Sequence, residues 1–429
     1  MNFLRLLFCS ALAVASVAPA QEKLIVVNEG TWQADNGRLS YFEDGTVVSN
    51  QWFREVNGTK IGDTPNDIIQ INDELIAIAV NWSNIVQFIR PDGKAVAATE
   101  DIPNNRRLAT DGKYVYVTSY AHECMVAGRM TDFEKGFVAK IDISTFKVVA
   151  ATEVGYEPEG IAYYKGKLFV VNTGGYAFQE GHDYEHTVSV VDAATMKLER
   201  DVDVEQINLY GKVSRSGRYM CISSPGDYYE VSAATIILDC QRVIDNMPDS
   251  ECFVKLPYAA TYNTVGRDGT FYALGSQYSY ISGDFIFNSV SINPSEVIGS
   301  DGASGVEESL PGTIAEDVEK FGSPYGIYVN PYTGYYYATD AGNYQSGGVL
   351  HQWNPKGQHI GSWSLYINPG SFLALPPDGH ITGIEDVTAD IADGPEIYYN
   401  LQGIASERAW SGINIVRTAD GKVKKIYRK

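Results

Sequence analysis

The sequence is poor in basic charge, cysteine, histidine and helical periodicity, and each shortage excludes something. Its 429 residues hold 33 Lys and Arg against 53 Asp and Glu, a formal charge of -20. Binding nucleic acid without sequence preference takes clustered Lys and Arg to displace counterions, and an anionic bilayer attracts the same residues, so neither partner suits this chain. Past the N-terminus no apolar run is long enough to cross a bilayer, and no direct membrane span is expected. There are six histidines, and no zinc-ligand spacing, phosphate-binding Gly loop or nucleophile elbow. Ser223-Ser224-Pro225-Gly226 lacks the G-x-S-x-G pattern. His182-Asp-Tyr-Glu-His186 has the four-residue step that lets two imidazoles share a metal on a helix, but it sits in a Gly-rich loop, where that spacing argument fails. The reading is therefore non-enzymatic, with no catalytic residue, no metal and no cofactor.

Residues 1–20 read as a signal peptide. Arg5 supplies the positive end, Leu6 to Val17 is apolar and uncharged, and Ala18-Pro19-Ala20 offers small residues for cleavage before Gln21. Cys9 lies too near Arg5 to mark a lipid-anchored leader. Export makes the expected location extracellular or on the outer-membrane surface. Cys124, Cys221, Cys240 and Cys252 remain after cleavage, and an oxidising compartment permits disulfides. Four cysteines allow three pairings. Cys240 and Cys252, flanking a loop with Asp245, Asn246, Pro248 and Asp249, are the first expected pair; buried free thiols on strands are the alternative.

What is abundant is tyrosine, 29 residues beside 16 Phe and 6 Trp, and a repeat. Seven short apolar runs each end in a small or polar residue followed by an aromatic: Leu24–Val27 before Asn28 and Trp32, Leu75–Val80 before Asn81 and Trp82, Val115–Val117 before Ser119 and Tyr120, Leu168–Val171 before Asn172 and Tyr176, Tyr219–Ile222 before Ser223 and Tyr228, Phe271–Leu274 before Gly275 and Tyr278, and Tyr335–Ala338 before Asp340 and Tyr344. Repeats of roughly 40 to 65 residues match a four-stranded propeller blade plus loops. A turn-to-strand signature precedes six of the runs, at Thr64–Asp67, Asn105–Arg107, Glu157–Gly160, Ile207–Tyr210, Tyr262-Asn263 and Ser323–Gly326. The seventh copy comes at the far end, Ile367–Gly370 before Ser371–Leu375. The C-terminal strand is thus expected to complete the N-terminal blade, closing the ring and covering its edges. Third strands follow, as in Val188–Val191 and Val349–Trp353. The best helix candidate is Thr313 to Phe321. The fold class is all-β: a seven-bladed β-propeller over 21–379, then a small β-sandwich-like unit over 380–429.

Phe137-Val-Ala-Lys-Ile-Asp142, Pro158-Glu-Gly160, Gly166–Asn172 and Thr187–Asp192 resemble the YncE-like, YVTN-type propeller family. Val27-Asn-Glu-Gly30, Gly37–Tyr41, Gly226-Asp-Tyr228 and Pro324-Tyr-Gly326 with Thr339-Asp340 are similar to surface propellers of Bacteroidetes, some of which capture cobalamin and pass it to a TonB-dependent outer-membrane transporter. That resemblance implies a corrinoid ligand and such a transporter as partner. Ile384–Val387, Ile397–Gly403, Gly412–Arg417 and Asp420–Ile426 resemble the C-terminal sorting domain of type IX secretion, with Asp420-Gly421 as a hairpin turn. This unit holds seven acidic and seven basic residues, so the acidic excess belongs to the ring.

In a propeller, the loop entering the first strand and the loop leaving the second emerge on one face. Both signatures then converge on one rim. The candidate ligand-binding residues are Trp32, Trp82, Arg106, Arg107, Tyr120, Glu159, Tyr176, Tyr184, Asn208, Tyr228, Asn263, Tyr278, Tyr325 and Tyr344. Aromatic walls with a few placed polar groups suit a large amphipathic small molecule. The acidic ring favours a neutral or cationic ligand unless Arg106 and Arg107 reverse the field locally. Two alternatives stand beside small-molecule capture. One is a lactonase- or lyase-type propeller enzyme with a metal at Asp67, Glu159 and Asp340; the other is an adhesin for protein or glycan.

Overall fold

The computed structural model describes residues 22–122, 134–177, 181–279, 284–377, 397–399, 405–406, 412–417 and 423–428; the leader expected over residues 1–20 lies outside them. Seven four-stranded antiparallel sheets form a β-propeller. Blade one consists of Pro369–Leu375, Lys23–Asn28, Arg38–Glu43 and Thr46–Ser49, from the axis outward. Blades two to seven follow in chain order, with inner strands Pro65–Asn72, Asn105–Thr110, Pro158–Tyr164, Tyr210–Ser216, Tyr262–Val265 and Pro324–Val329. The expected closure is present: Lys23–Asn28 pairs with Pro369–Leu375, Leu24 opposite Ala374.

Position within a blade decides the hydrophobic pattern. Second and third strands are covered on both sides by neighbouring blades, so Leu75–Val80 and Ala234–Asp239 are buried at every residue. Outer strands face water on one side and alternate, as Lys197–Asp203 and His359–Ser364 do. The core is seven clusters, one between each pair of neighbouring blades. Phe42, Tyr337 and Phe372 fill the join between blades seven and one. Inner strands crowd at the axis, and Gly160 shows how tightly. A Cβ there would stand 2.6 Å from Val213 Cγ1 and 2.8 Å from the Gly211 carbonyl on the next blade.

The helix expected over Thr313–Phe321 forms over Ile314–Val318. Four more, Trp52–Asn57, Cys240–Ile244, Asp249–Cys252 and Pro294–Gly299, run six residues or fewer, too short to write a helical period in sequence. Two of them correct the cysteine expectation. Cys240 and Cys252 are free thiols, as is Cys221, and all three are buried. The short helices turn Cys240 and Cys252 into the apolar core between blades four and five. Burial pushes the Cys252 thiol up to about 11 and Cys221 to about 12. Cys124 lies outside the described residues.

The described C-terminal residues form one four-stranded antiparallel sheet in the order Ala405–Ser406, Ile397–Tyr399, Gly412–Arg417, Val423–Arg428. The Asp420-Gly421 turn falls outside them.

Candidate functional site

The inner strands carry the site at their first residues, where the ladder is irregular. Asn105, Pro158, Tyr210 and Pro324 face the polar end of the second strand, Pro65 faces Val80 just before it, and immediately after each the register shifts. A bulge breaks the period of two and re-aims side chains. That is how the consecutive residues Arg106 and Arg107 both reach Glu159 of the next blade. Arg106 Nε donates to Glu159 Oε1 at 2.8 Å, Arg107 Nε lies 3.6 Å from Oε2, and the Tyr120 hydroxyl also donates to Oε1. Arg107 Nη1 donates to the Asn66 carbonyl, which also accepts from Ser371 Oγ at 2.9 Å. Asp67 accepts from Leu108 N at 2.9 Å and from Lys212 Nζ at 2.7 Å, linking blades two and five.

Backbone strain marks the same place. Thr64, Asn104, Glu157, Asn208 and Asn368, each just before an inner strand, have φ between 43° and 57°. Non-glycine residues enter this region at a cost, and a β-branched Thr especially so. The carbonyls of Thr64, Asn104, Glu157 and Asn368 accept from the amides of Asn81, Tyr120, Thr173 and Glu29, fastening the strand start to the end of the second strand.

Glu159 is fully buried. Burial raises its carboxyl pKa, but Arg106, Arg107 and the Tyr120 hydroxyl outweigh this and hold it below the usual range. Glu29, on blade one, goes the other way. Burial raises it, and the bond from the Tyr325 hydroxyl (2.7 Å) and the charge of Arg107 offset this only in part. Glu29, Arg107, Tyr210, Lys212, Tyr262 and Tyr325 line a cavity of about 340 Å³ that descends past Val213, Ile327 and Phe372. It is the axial channel.

Aromatic rings stand around its mouth. Trp32 and Trp82 meet edge to face at 5.2 Å, Tyr120 and Tyr176 at 5.8 Å, and Tyr325 and Tyr344 at 5.8 Å. Trp32 is 47% exposed, Tyr344 50% and Tyr228 51%. Tyr228 lies close enough to Tyr184 and Tyr210 for their charges to raise its hydroxyl pKa beyond the effect of burial. Of the expected residues, Arg106, Arg107, Tyr120 and Glu159 form one network, and Asn263 and Tyr325 line the channel. Asn208 is buried, bonded to Gly226 O and Thr173 Oγ1 at 2.7 Å each, and it buttresses two loops. Tyr278 pairs with Phe285 in an extended hairpin, and its side chain is outside the described set. Glu29, Tyr210, Lys212 and Tyr262 belong to the site but escaped the sequence reading. Their positions in the repeat, at a strand start or just past a strand end, were the available signal.

The carboxylates named for a metal do not converge. Asp67 is bonded to Lys212 and Glu159 to arginines, while Asp340 caps its own loop through Gly322 N, Ser323 N and Gly342 N at 2.8–3.0 Å. His182 Nε2 lies 2.6 Å from Glu157 Oε2, whereas His186 pairs with Asp203 at 3.0 Å, so the two histidines are apart. Among the described residues no three His, Cys, Asp or Glu side chains form a group able to hold a metal. None of their helices is long and apolar enough to cross a membrane.

No protein-family model matches the chain, and no curated protein matches it in sequence. Solved structures do. Hydrazine synthase of Kuenenia stuttgartiensis is similar at a TM-score of 0.52 and 12% identity, over 85% of this chain and 95% of that one. Apo AztD of Citrobacter koseri gives 0.47 and 12%, over 84% and 100%. Virginiamycin B lyase of Staphylococcus aureus gives 0.47 and 10%, over 84% and 94%. The chain is a seven-bladed, all-β propeller, and its likeness to the hydrazine synthase structure speaks to that architecture alone.

Proposed function

We propose that this protein is a non-enzymatic, exported propeller that captures an amphipathic small molecule across its loop-bearing mouth. One observation carries the reading: all seven blades direct strand starts and strand ends to one mouth, where half-exposed Trp and Tyr rings surround a polar channel. Tyr and Trp give large rigid contact area at small entropic cost. On this reading the ligand body lies across the mouth, against the aromatic rings, with one end towards the channel. The resemblance to cobalamin-capturing surface propellers makes a corrinoid the first ligand to try. It also makes an outer-membrane transporter the expected recipient and the C-terminal unit the expected sorting signal.

Titrating cyanocobalamin into the full chain, read by calorimetry and by the visible spectrum, tests the ligand. Micromolar binding that Trp32→Ala weakens supports it. No heat and no spectral change at micromolar concentrations rejects the corrinoid.

A further inference from the structure

Which end of a captured molecule enters the channel depends on the charged and hydrogen-bonding groups at its mouth. Three cations, Arg106, Arg107 and Lys212, face three carboxylates, Asp67, Glu159 and Glu29. Asp67 and Glu159 are engaged by the cations. Glu29 already accepts from Tyr325, and burial favours its neutral form. The mouth therefore balances three cations against three carboxylates inside a ring that is otherwise strongly acidic. It is also rich in unused donors. Lys212 spends one N–H on Asp67, and the Tyr210 and Tyr262 hydroxyls have no hydrogen-bond partner among the described residues. Arg107, Lys212, Tyr210 and Tyr262 all line the one cavity. Unpaired donors lining one partly desolvated cleft are the complement of an oxyanion.

We propose that the channel mouth is a subsite for an acid group, a carboxylate or a phosphate ester carried by the captured molecule, held by Arg107 and Lys212 with the hydroxyls of Tyr210 and Tyr262. The inference rests on the capture reading, and it reverses the preference for neutral or cationic ligands that the ring's overall charge suggested. The cavity, at about 340 Å³, takes one such group with its nearest atoms, while the aromatic crown holds the rest.

Phenyl phosphate, benzoate and benzyl alcohol share a ring and differ in charge, and their affinities for the full chain by ligand-observed NMR test the subsite. The two acids are expected to bind at least tenfold more tightly than the alcohol, and their ratio tells phosphate from carboxylate. Lys212→Met alone strands the Asp67 carboxylate, so the variant to use is Asp67→Asn with Lys212→Met, which removes the pair without leaving a bare charge. It should lose at least tenfold in acid affinity and leave benzyl alcohol unchanged; Lys212→Arg should retain the acids. Trp32→Ala should weaken all three probes alike. Equal binding of the three probes overturns the subsite and leaves capture standing. Binding of none also overturns the subsite, and the cyanocobalamin titration then decides capture by itself.

Discussion

Arg106→Met is the most informative single perturbation of the mouth. Arg106 reaches Glu159 Oε1 through both Nε and Nη2, and its guanidinium lies 5.0 Å from the Tyr120 ring centroid. The substitution keeps most of the aliphatic stem and removes the charge. Breaking a buried ion pair from one side costs about 3–5 kcal/mol, because the partner charge stays buried. The lost cation–π contact adds about 0.5–1 kcal/mol. Arg107, 3.6 Å from the other oxygen, recovers part, so about 3 kcal/mol is expected. At about 2.1 cal/mol/K per residue, a ring of about 350 residues has an unfolding entropy near 0.7 kcal/mol/K, so the loss lowers Tm by about 4 °C. Differential scanning calorimetry against pH reads it.

The sign follows from Glu159. Its folded pKa is depressed, so its pairing stabilises above the ordinary value of 4.5 and fades as pH falls through the lower folded value. Removing Arg106 raises that folded pKa, so the gap between wild type and variant should be full at pH 7 and close towards acid. Pairing Arg106→Met with Glu159→Gln should restore about half of the loss. A drop under about 1 °C at pH 7, or a gap that does not change with pH, would refute the claim that this ion pair holds the blade-three and blade-four strand starts together.

Other outcomes follow from the same structure. Ending the chain after residue 377 should leave the ring folded. Ending it after residue 366 removes Pro369–Leu375 and should give insoluble protein with no cooperative unfolding transition, because the edge of Lys23–Asn28 is left unpaired. Glu22 is buried, accepting from Asn330 Nδ2, Thr333 Oγ1 and Gln352 Nε2, so Glu22→Ala strands three donors and should lower Tm by several degrees in a thermal melt. In a Cys124→Ser variant with the leader removed, a chromogenic disulfide reagent should find no reactive thiol in native protein and three after denaturation; one after denaturation would mean that Cys240 and Cys252 are joined. Binding of benzoate should weaken as pH rises through the folded pKa of Glu29, which burial holds above the ordinary 4.5, because Glu29 then ionises beside Arg107. Glu29→Gln should abolish that dependence.

Much of the architecture was legible because it is written in local chemistry. Apolar runs ending in Asn or Ser repeat because each central strand is covered on both faces and must then hand its backbone to a polar turn. Asn28 and Asn172 end such strands, buried and bonded to Ser40 and Ser189 on the third strand. The displaced copy of the strand-start signature at Ile367–Gly370 revealed the closure of the ring, since one repeat unit is divided between the two ends of the chain. Trp32, Trp82, Tyr120, Tyr176 and Tyr344 were legible for the same reason: each follows the end of a second strand.

The polar heart of the site was not. Strand periodicity assigns neighbours to opposite faces, yet bulges turn Arg106 and Arg107 together towards Glu159, 53 and 52 residues away. Lys212 meets Asp67 across 145 residues, a contact set by the circumference of seven blades and by no local pattern. Glu29 looked like one more acidic residue in an acidic chain, and only its burial beside Tyr325 and Arg107 changes its character. The sequence alone determined the ring and its closure, because blade packing repeats one local rule seven times. The tertiary structure decided the charge balance at the axis, because electrostatics depends on which groups meet and how much water they lose when they do.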